Sequence, residues 1–252
     1  MKKLVITDKD LKRFERIIDA YRPITKFPQS GKWKSLSNKE IWFWMINQVL
    51  VVGGSSSSKR FWQSDALKKQ ILYDSLLTKR SDKTVQKIIH KVLRETGARY
   101  SSVDINKCAK TKALLYNYKF VKEFKSGFKE VFEMLDSIES KNPELDRVYY
   151  LMDNLKYFKN KSARDFLMNL GMNQNTLAID IRTQNIFQHL KIPFPEQQSF
   201  GSKEIYDTME REIISKICNP LKIFPLHFDR ILYQNYFKIL KYDYLQIKLD
   251  FN

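Results

Sequence analysis

The chain has 252 residues, 43% of them hydrophobic and 13% aromatic, enough to bury a substantial core in one large domain or two small ones. Its 45 Lys and Arg against 28 Asp and Glu give a formal charge of +17, which suits a polyanionic partner: a nucleic-acid backbone first, an anionic membrane or acidic protein after it. Cys108 and Cys218 lie too far apart for a close-spaced metal or disulfide pattern and read as buried apolar residues of a protein in a reducing compartment.

The amino terminus, MKKLVITDKDLKRFERI, has no secretory apolar stretch, and IWFWMINQVLVV is too short to span a bilayer, so a cytoplasmic protein without membrane contact is expected. Leu11, Phe14, Ile17 and Ile18 predict a helix over 8–20, stopped by Pro23, and YRPITKFPQSGKWKS reads as a connector. Ser37 with Glu40 forms a capping box for a helix carrying Trp42, Trp44 and Val49. GGSSSS, residues 53–58, predicts a flexible loop, with Ser57 or Ser58 capping one helix over 59–77. That loop reads either as a linker or as backbone that approaches phosphate; it lacks the GxxxxGK(S/T) pattern of a nucleotide-binding loop. Further helices are predicted over 82–96, ended by Gly97, and over 106–125, 127–139 and 143–156, the last begun by Pro143. A connector, KIPFPEQQSFGS, precedes helices over 203–217 and from Leu226. The expectation is an all-α chain with short connections, its aromatic rings mostly in the core.

Between the central and final helices lies KNKSARDFLMNLGMNQNTLAIDIRTQ, residues 159–184. Ala163, Phe166, Leu167 and Leu170 mark a buried helix face that begins near Lys161 and ends at Gly171, and Asp180 is placed to cap the next helix. A helix start and burial both disfavour an ammonium, and only the neutral amine is a nucleophile. A lysine and a carboxylate on a basic protein suit chemistry at an anomeric carbon of DNA. Amine attack at C1′ displaces a base and leaves an imine, and proton removal at C2′ then eliminates the 3′ phosphate; neither step needs a metal or organic cofactor. By pattern alone the same residues are also an ordinary helix-starting lysine and a capping aspartate, and Arg164, Asp165 and Arg182 read as solvated helix residues.

LKYFKNKSARDFLMNLG followed by TLAIDIRTQNIF resembles the helix-hairpin-helix DNA glycosylase superfamily, particularly its bifunctional 8-oxoguanine glycosylase/AP lyases. There a Leu-Pro-Gly-Val-Gly-x-Lys hairpin precedes a helix, a loop and an apolar-Asp-x-His/Arg segment. Leu155 matches the leading leucine, Lys161 the Schiff-base lysine, Ala163 the small helix residue, Asp180 the essential aspartate and Arg182 the His/Arg position. The resemblance implies two helical domains with a central DNA-binding cleft: residues 37–154 as one, and 1–36 with 155–252, including the hairpin, as the other. It also implies release of oxidised bases from double-stranded DNA, 8-oxoguanine foremost, with strand cleavage by a monomer acting on the nucleoid. Thymine glycol and other oxidised pyrimidines are the alternative substrates, and a noncatalytic nucleic-acid-binding protein is the alternative class.

Lys156, Tyr157, Phe158 and Lys159 replace the family's Pro, Gly, apolar and Gly residues. Glycines there allow a tight turn whose amides meet phosphate and whose carbonyls hold a monovalent cation, so Lys156 and Lys159 are expected to supply side-chain contacts to phosphate instead. Arg182, Ser56, Ser57, Ser58 and Lys59 complete the DNA-binding candidates. Phe228, Asp229 and Tyr233, in PLHFDRILYQNYF, are candidates for contacting the base. No four-cysteine iron-sulfur motif follows the core, and the lysine sets the chain apart from purely hydrolytic relatives.

Overall fold

The structure, a computed structural model, describes residues 4–79 and 81–241, and every regular element among them is helical. It divides into two compact units, one formed by the described residues up to Ser30 together with those from Asn173 onward, the other by Gly31–Met172. The first unit opens with α1 (Asp8–Tyr21). The second holds α2 (Asn38–Leu50), α3 (Ser56–Gln63), α4 (Asp65–Gln70), α5 (Tyr73–Leu77), α6 (Asp82–Glu95), α7 (Ala109–Lys122), α8 (Phe128–Asp136), α9 (Pro143–Asn154) and α10 (Asn160–Asn169). The chain then returns to the first unit with α11 (Ile181–His189), α12 (Lys203–Ile213), α13 (Pro225–Gln234) and α14 (Tyr236–Lys241). No helix among the described residues is long and apolar enough to cross a membrane.

Local chemistry sets most helix ends. Ser37 and Glu40 form the expected capping box on α2, and the Ser37 hydroxyl and backbone N–H hold the Glu40 carboxyl below its usual range. Thr7 and Asp10 form a second capping box on α1. Pro143 opens α9 behind Asn142, and α6 stops before Gly97, whose φ of +67° suits glycine.

The helix expected over 59–77 is three helices. Ser64 leaves helical geometry and caps α4, accepting from Leu67 N at 3.2 Å. The chain breaks again near Ile71, whose carbonyl accepts from buried Trp42 Nε1 at 3.0 Å. Ser57 and Ser58 do not cap α3 either, because that helix starts at Ser56. Their hydroxyls are turned inward, Ser57 donating to Leu50 O at 3.0 Å and Ser58 to Asn47 Oδ1. The true loop is 51–55, where Gly53 and Gly54 have φ of +94° and +139°. A Cβ on Gly53 would lie 2.6 Å from the Tyr100 ring, so the close approach of these two loops requires glycine.

In the second unit, fully buried Trp42 sits among Tyr73, Tyr118 and Phe128, with ring centroids 6.2–6.3 Å away. The hairpin and α10 belong to this core rather than to the carboxyl-terminal helices with which the sequence groups them. Phe166 of α10 packs on Phe132 of α8 at 6.0 Å and on Phe158 of the hairpin at 5.1 Å. Gly31 N and Trp33 N bond the carbonyls of Gly171 and Leu170, each at 2.8 Å, closing the unit where its two ends meet. In the first unit Phe14 bridges Phe187 and Phe228 at 5.2 and 5.5 Å, so the amino-terminal helix is part of a core built mainly from the far end of the chain.

Both cysteines are buried and free, in different surroundings. Burial pushes the Cys218 thiol up, with Asp229 adding to it. Burial also pushes Cys108 up, but hydrogen bonds from Ser101, Thr111 and His90 outweigh it and bring the thiol down to about 7. Burial lowers neighbouring Lys110 to about 8, and its ammonium donates to Val52 O at 2.7 Å, tying α7 to the 51–55 loop.

Candidate active site

Residues 155–159 form the hairpin between α9 and α10, and its backbone bends without glycine. Tyr157 takes the left-handed conformation, with φ of +67°, at the position of the family pattern's first glycine. Lys159, at the second, is extended and needs no glycine. The strain at Tyr157 is offset by side chains that clasp the turn. Asn117, fully buried on α7, accepts from Lys156 N at 2.7 Å and donates to Lys156 O at 3.0 Å. Ser162 donates to Tyr157 O at 3.0 Å and accepts from Lys159 N at 2.7 Å. Phe158 packs beneath the turn, as expected. Asn117→Ala leaves both backbone groups of Lys156 without these partners and is expected to lower unfolding free energy by about 2 kcal/mol, read by chemical denaturation.

Lys161 is the second residue of α10, and its amine, on a side chain 32% exposed, donates to Asp165 Oδ2 at 3.2 Å. The two lie one turn apart on the same helix face. Asp165 is fixed in turn by Gln48 Nε2 at 3.3 Å and Asn169 Nδ2 at 3.2 Å. Asp165 and Arg164 therefore correct the sequence reading of solvated residues: both are buried, and Arg164 Nη1 donates to Asn160 O at 3.0 Å. The i to i+4 spacing of Lys161 and Asp165 signals the ion pair in the sequence; Gln48 and Asn117 carry no such signal. Lys156 and Lys159 are exposed, and Lys156 Nζ lies 4.8 Å from the centroid of the Tyr116 ring.

In the first unit, Asp180 is the N-cap of α11, Oδ1 accepting from Arg182 N at 2.8 Å and Thr183 N at 3.4 Å. The segment before it is held from three directions. Glu210 accepts from Leu177 N at 2.7 Å, Asp229 accepts from Ala178 N at 3.0 Å, and Tyr206 Oη donates to Leu177 O at 2.9 Å. A short buried stretch unable to form its own helix bonds is thereby satisfied and delivers Asp180 in one position. Tyr206→Phe is expected to cost about 1 kcal/mol in unfolding free energy, measured by thermal or urea denaturation.

The remaining candidates divide. Phe228 is 1% exposed in the Phe14 core and Asp229 is committed to Ala178, so as base contacts both are corrected to residues that build the unit. Tyr233 is 38% exposed and carries the Arg182 guanidinium at 4.2 Å from its ring centroid. Ser57 and Ser58, turned inward, are likewise corrected as DNA contacts, whereas Ser56 and Lys59 are exposed. Among the described residues no group of three or more His, Cys, Asp or Glu side chains is placed to hold a metal ion.

The arrangement is an all-α, two-unit fold with a hairpin-mounted lysine in one unit and a helix-capping aspartate in the other. That fold is shared with solved 8-oxoguanine DNA glycosylases. The Methanocaldococcus jannaschii enzyme aligns with a TM-score of 0.61 and 18% identity, over 88% of this chain and 91% of its own. The glycosylase/lyase from the same organism, in complex with 15mer DNA containing 8-oxoguanine, gives 0.60 and 19%, over 91% and 98%. The Thermotoga maritima 8-oxoguanine DNA glycosylase gives 0.59 and 19%, over 88% and 93%. No protein-family model and no curated protein matches the chain.

Proposed function

We propose that the protein is a base-excision-repair DNA glycosylase with β-elimination AP lyase activity, releasing oxidised bases, 8-oxoguanine foremost, through an imine at Lys161. The observation that supports this most directly is the hairpin itself: Lys161 stands one residue inside α10, behind a turn whose left-handed bend falls at Tyr157. The shared fold with 8-oxoguanine glycosylases over about nine-tenths of the chain supports it independently.

In this reading the Lys161 nitrogen forms a bond to C1′ as the C1′–N bond to the base breaks, the base leaving with the electron pair. Nitrogen then loses a proton, the sugar ring opens, and an imine joins enzyme and deoxyribose. Removal of a C2′ proton expels the 3′ phosphate with its electron pair and cuts the strand. Asp165, bonded to the amine at rest, is placed to take up the proton that frees its lone pair. Asp180, its carboxylate oriented by two backbone N–H groups, stabilises positive charge developing on the sugar. Arg182, Lys156 and Lys159 meet backbone phosphates. The enzyme acts as a monomer, in the cytoplasm, on double-stranded DNA carrying an oxidised base or abasic site.

Borohydride reduction in the presence of labelled duplex tests the centre of this reading. A covalent adduct with DNA containing 8-oxoguanine or an abasic site is expected, since an imine is reduced to a stable amine. A wild-type protein that binds such DNA and is never trapped on it is a binding protein instead. A panel of single-lesion duplexes, including thymine glycol and varied in the opposite base, ranks the substrates.

A further inference from the structure

The outer face of α6 has no part in this chemistry. Val85, Ile89, Val92 and Leu93 are buried, whereas Lys83, Lys87, Lys91 and Arg94 are exposed. At 100° per residue those four cations fall within an arc of about 80° and run about 16 Å along the helix. The carboxylates of α6 meet the row only at Lys91. Asp82 is taken by Lys119 of α7 at 2.8 Å, and Glu95 accepts from Gln70 at 3.0 Å and lies 3.7 Å from Lys91. Among the described residues Lys83 and Lys87 have no carboxylate partner.

The row ends at an unusual residue. Arg94 Nη1 donates to Ser101 O at 3.0 Å, and Arg99 Nη1 donates to Gly53 O at 2.9 Å, so two guanidiniums that have no carboxylate partner among the described residues flank Tyr100. Tyr100 takes a left-handed backbone, φ +57°, yet stays 77% exposed, with Val103 at 76% nearby in sequence. A non-glycine residue held there is strained, and burial does not offset the cost, which points to use of the exposed ring in binding.

We propose that this face of the second unit is a duplex-binding ridge: the α6 cations take successive phosphates away from the nucleotide being processed, and Tyr100 meets the sugar–base surface at its end. The occupant follows from charge, because duplex DNA is a dense polyanion, roughly one negative charge per 1.7 Å of axis, and four cations over about 16 Å, with a carboxylate near Lys91 alone among the described residues, offer it several phosphate contacts. The ridge rests on the reading of the protein as one that acts on DNA.

Binding of undamaged duplex, followed by fluorescence anisotropy across a salt series, tests it. Combined Lys83→Gln, Lys87→Gln and Lys91→Gln is expected to lower the slope of log K against log salt by between about two and three, at about 0.9 per contact, and to weaken binding at least tenfold at about 0.1 M salt. Tyr100→Gly is expected to weaken binding about tenfold with an unchanged slope while raising thermal stability, a split that a purely structural tyrosine does not produce. Unchanged slope and affinity in the triple variant overturn the ridge, and so does an equal loss from the same exchange at exposed Lys122, Lys125 and Lys129, which reports net charge alone. The outcomes separate from the catalytic reading. Wild-type trapping with a silent triple variant sinks the ridge only, and ridge-dependent binding without trapping sinks the chemistry only.

Discussion

Lys161→Ala is expected to give no borohydride adduct and to slow strand cleavage by on the order of 10³-fold or more, while duplex affinity stays within a few fold. The amine is the group proposed to form the bond to C1′, and alanine supplies no nitrogen lone pair in its place. Its loss removes one hydrogen bond from Asp165 and leaves those to Gln48 and Asn169 in place, so the helix remains held. Trapping by folded Lys161→Ala at the wild-type rate assigns the imine to another lysine and removes the proposed mechanism.

Asp180→Asn is expected to slow base release by on the order of 10²- to 10³-fold, with DNA affinity and melting temperature close to wild type. The substitution separates two roles of one side chain. An amide oxygen accepts from Arg182 N and Thr183 N as the carboxylate does, and Asn and Asp are similarly good N-caps. What disappears is the negative charge. Asp180→Ala removes the cap as well and is expected to lose about 1 kcal/mol of stability in addition. Single-turnover glycosylase assays beside thermal melts resolve the two effects, and base release at the wild-type rate in folded Asp180→Asn assigns the aspartate to the cap alone.

The features legible in the sequence are those whose physics is local. A serine three residues before a glutamate, a proline opening a helix and a glycine closing one act within a single turn, and α2, α9 and α6 begin or end as those residues predict. Asp180 as a helix cap is legible for the same reason. Features that depend on a distant partner are not. The break between α4 and α5 leaves the Ile71 carbonyl to Trp42, 29 positions away in sequence. The turn at Tyr157 depends on Asn117, and Phe228 looks available to a base until Phe14 is seen against it. The burial of Asp165 follows the same logic in part: Lys161 and Asn169 are local partners, whereas Gln48 lies 117 positions away.

The interleaving of the two units bears on the order in which they mature. The second unit is one uninterrupted stretch, Gly31–Met172, and its core needs no residue from later in the chain. The first needs both ends: the Lys26 backbone donates to Gln234 Oε1 at 3.0 Å and accepts from Gln234 Nε2 at 2.7 Å, and Asn235 donates to Thr25 at 2.9 Å. During synthesis the hairpin and its lysine can therefore fold on the ribosome, while α1 waits for α13 to emerge. A nascent chain halted shortly after α10 clears the exit tunnel should already protect Asn117 and the hairpin amides from exchange, with Phe14 still in solvent.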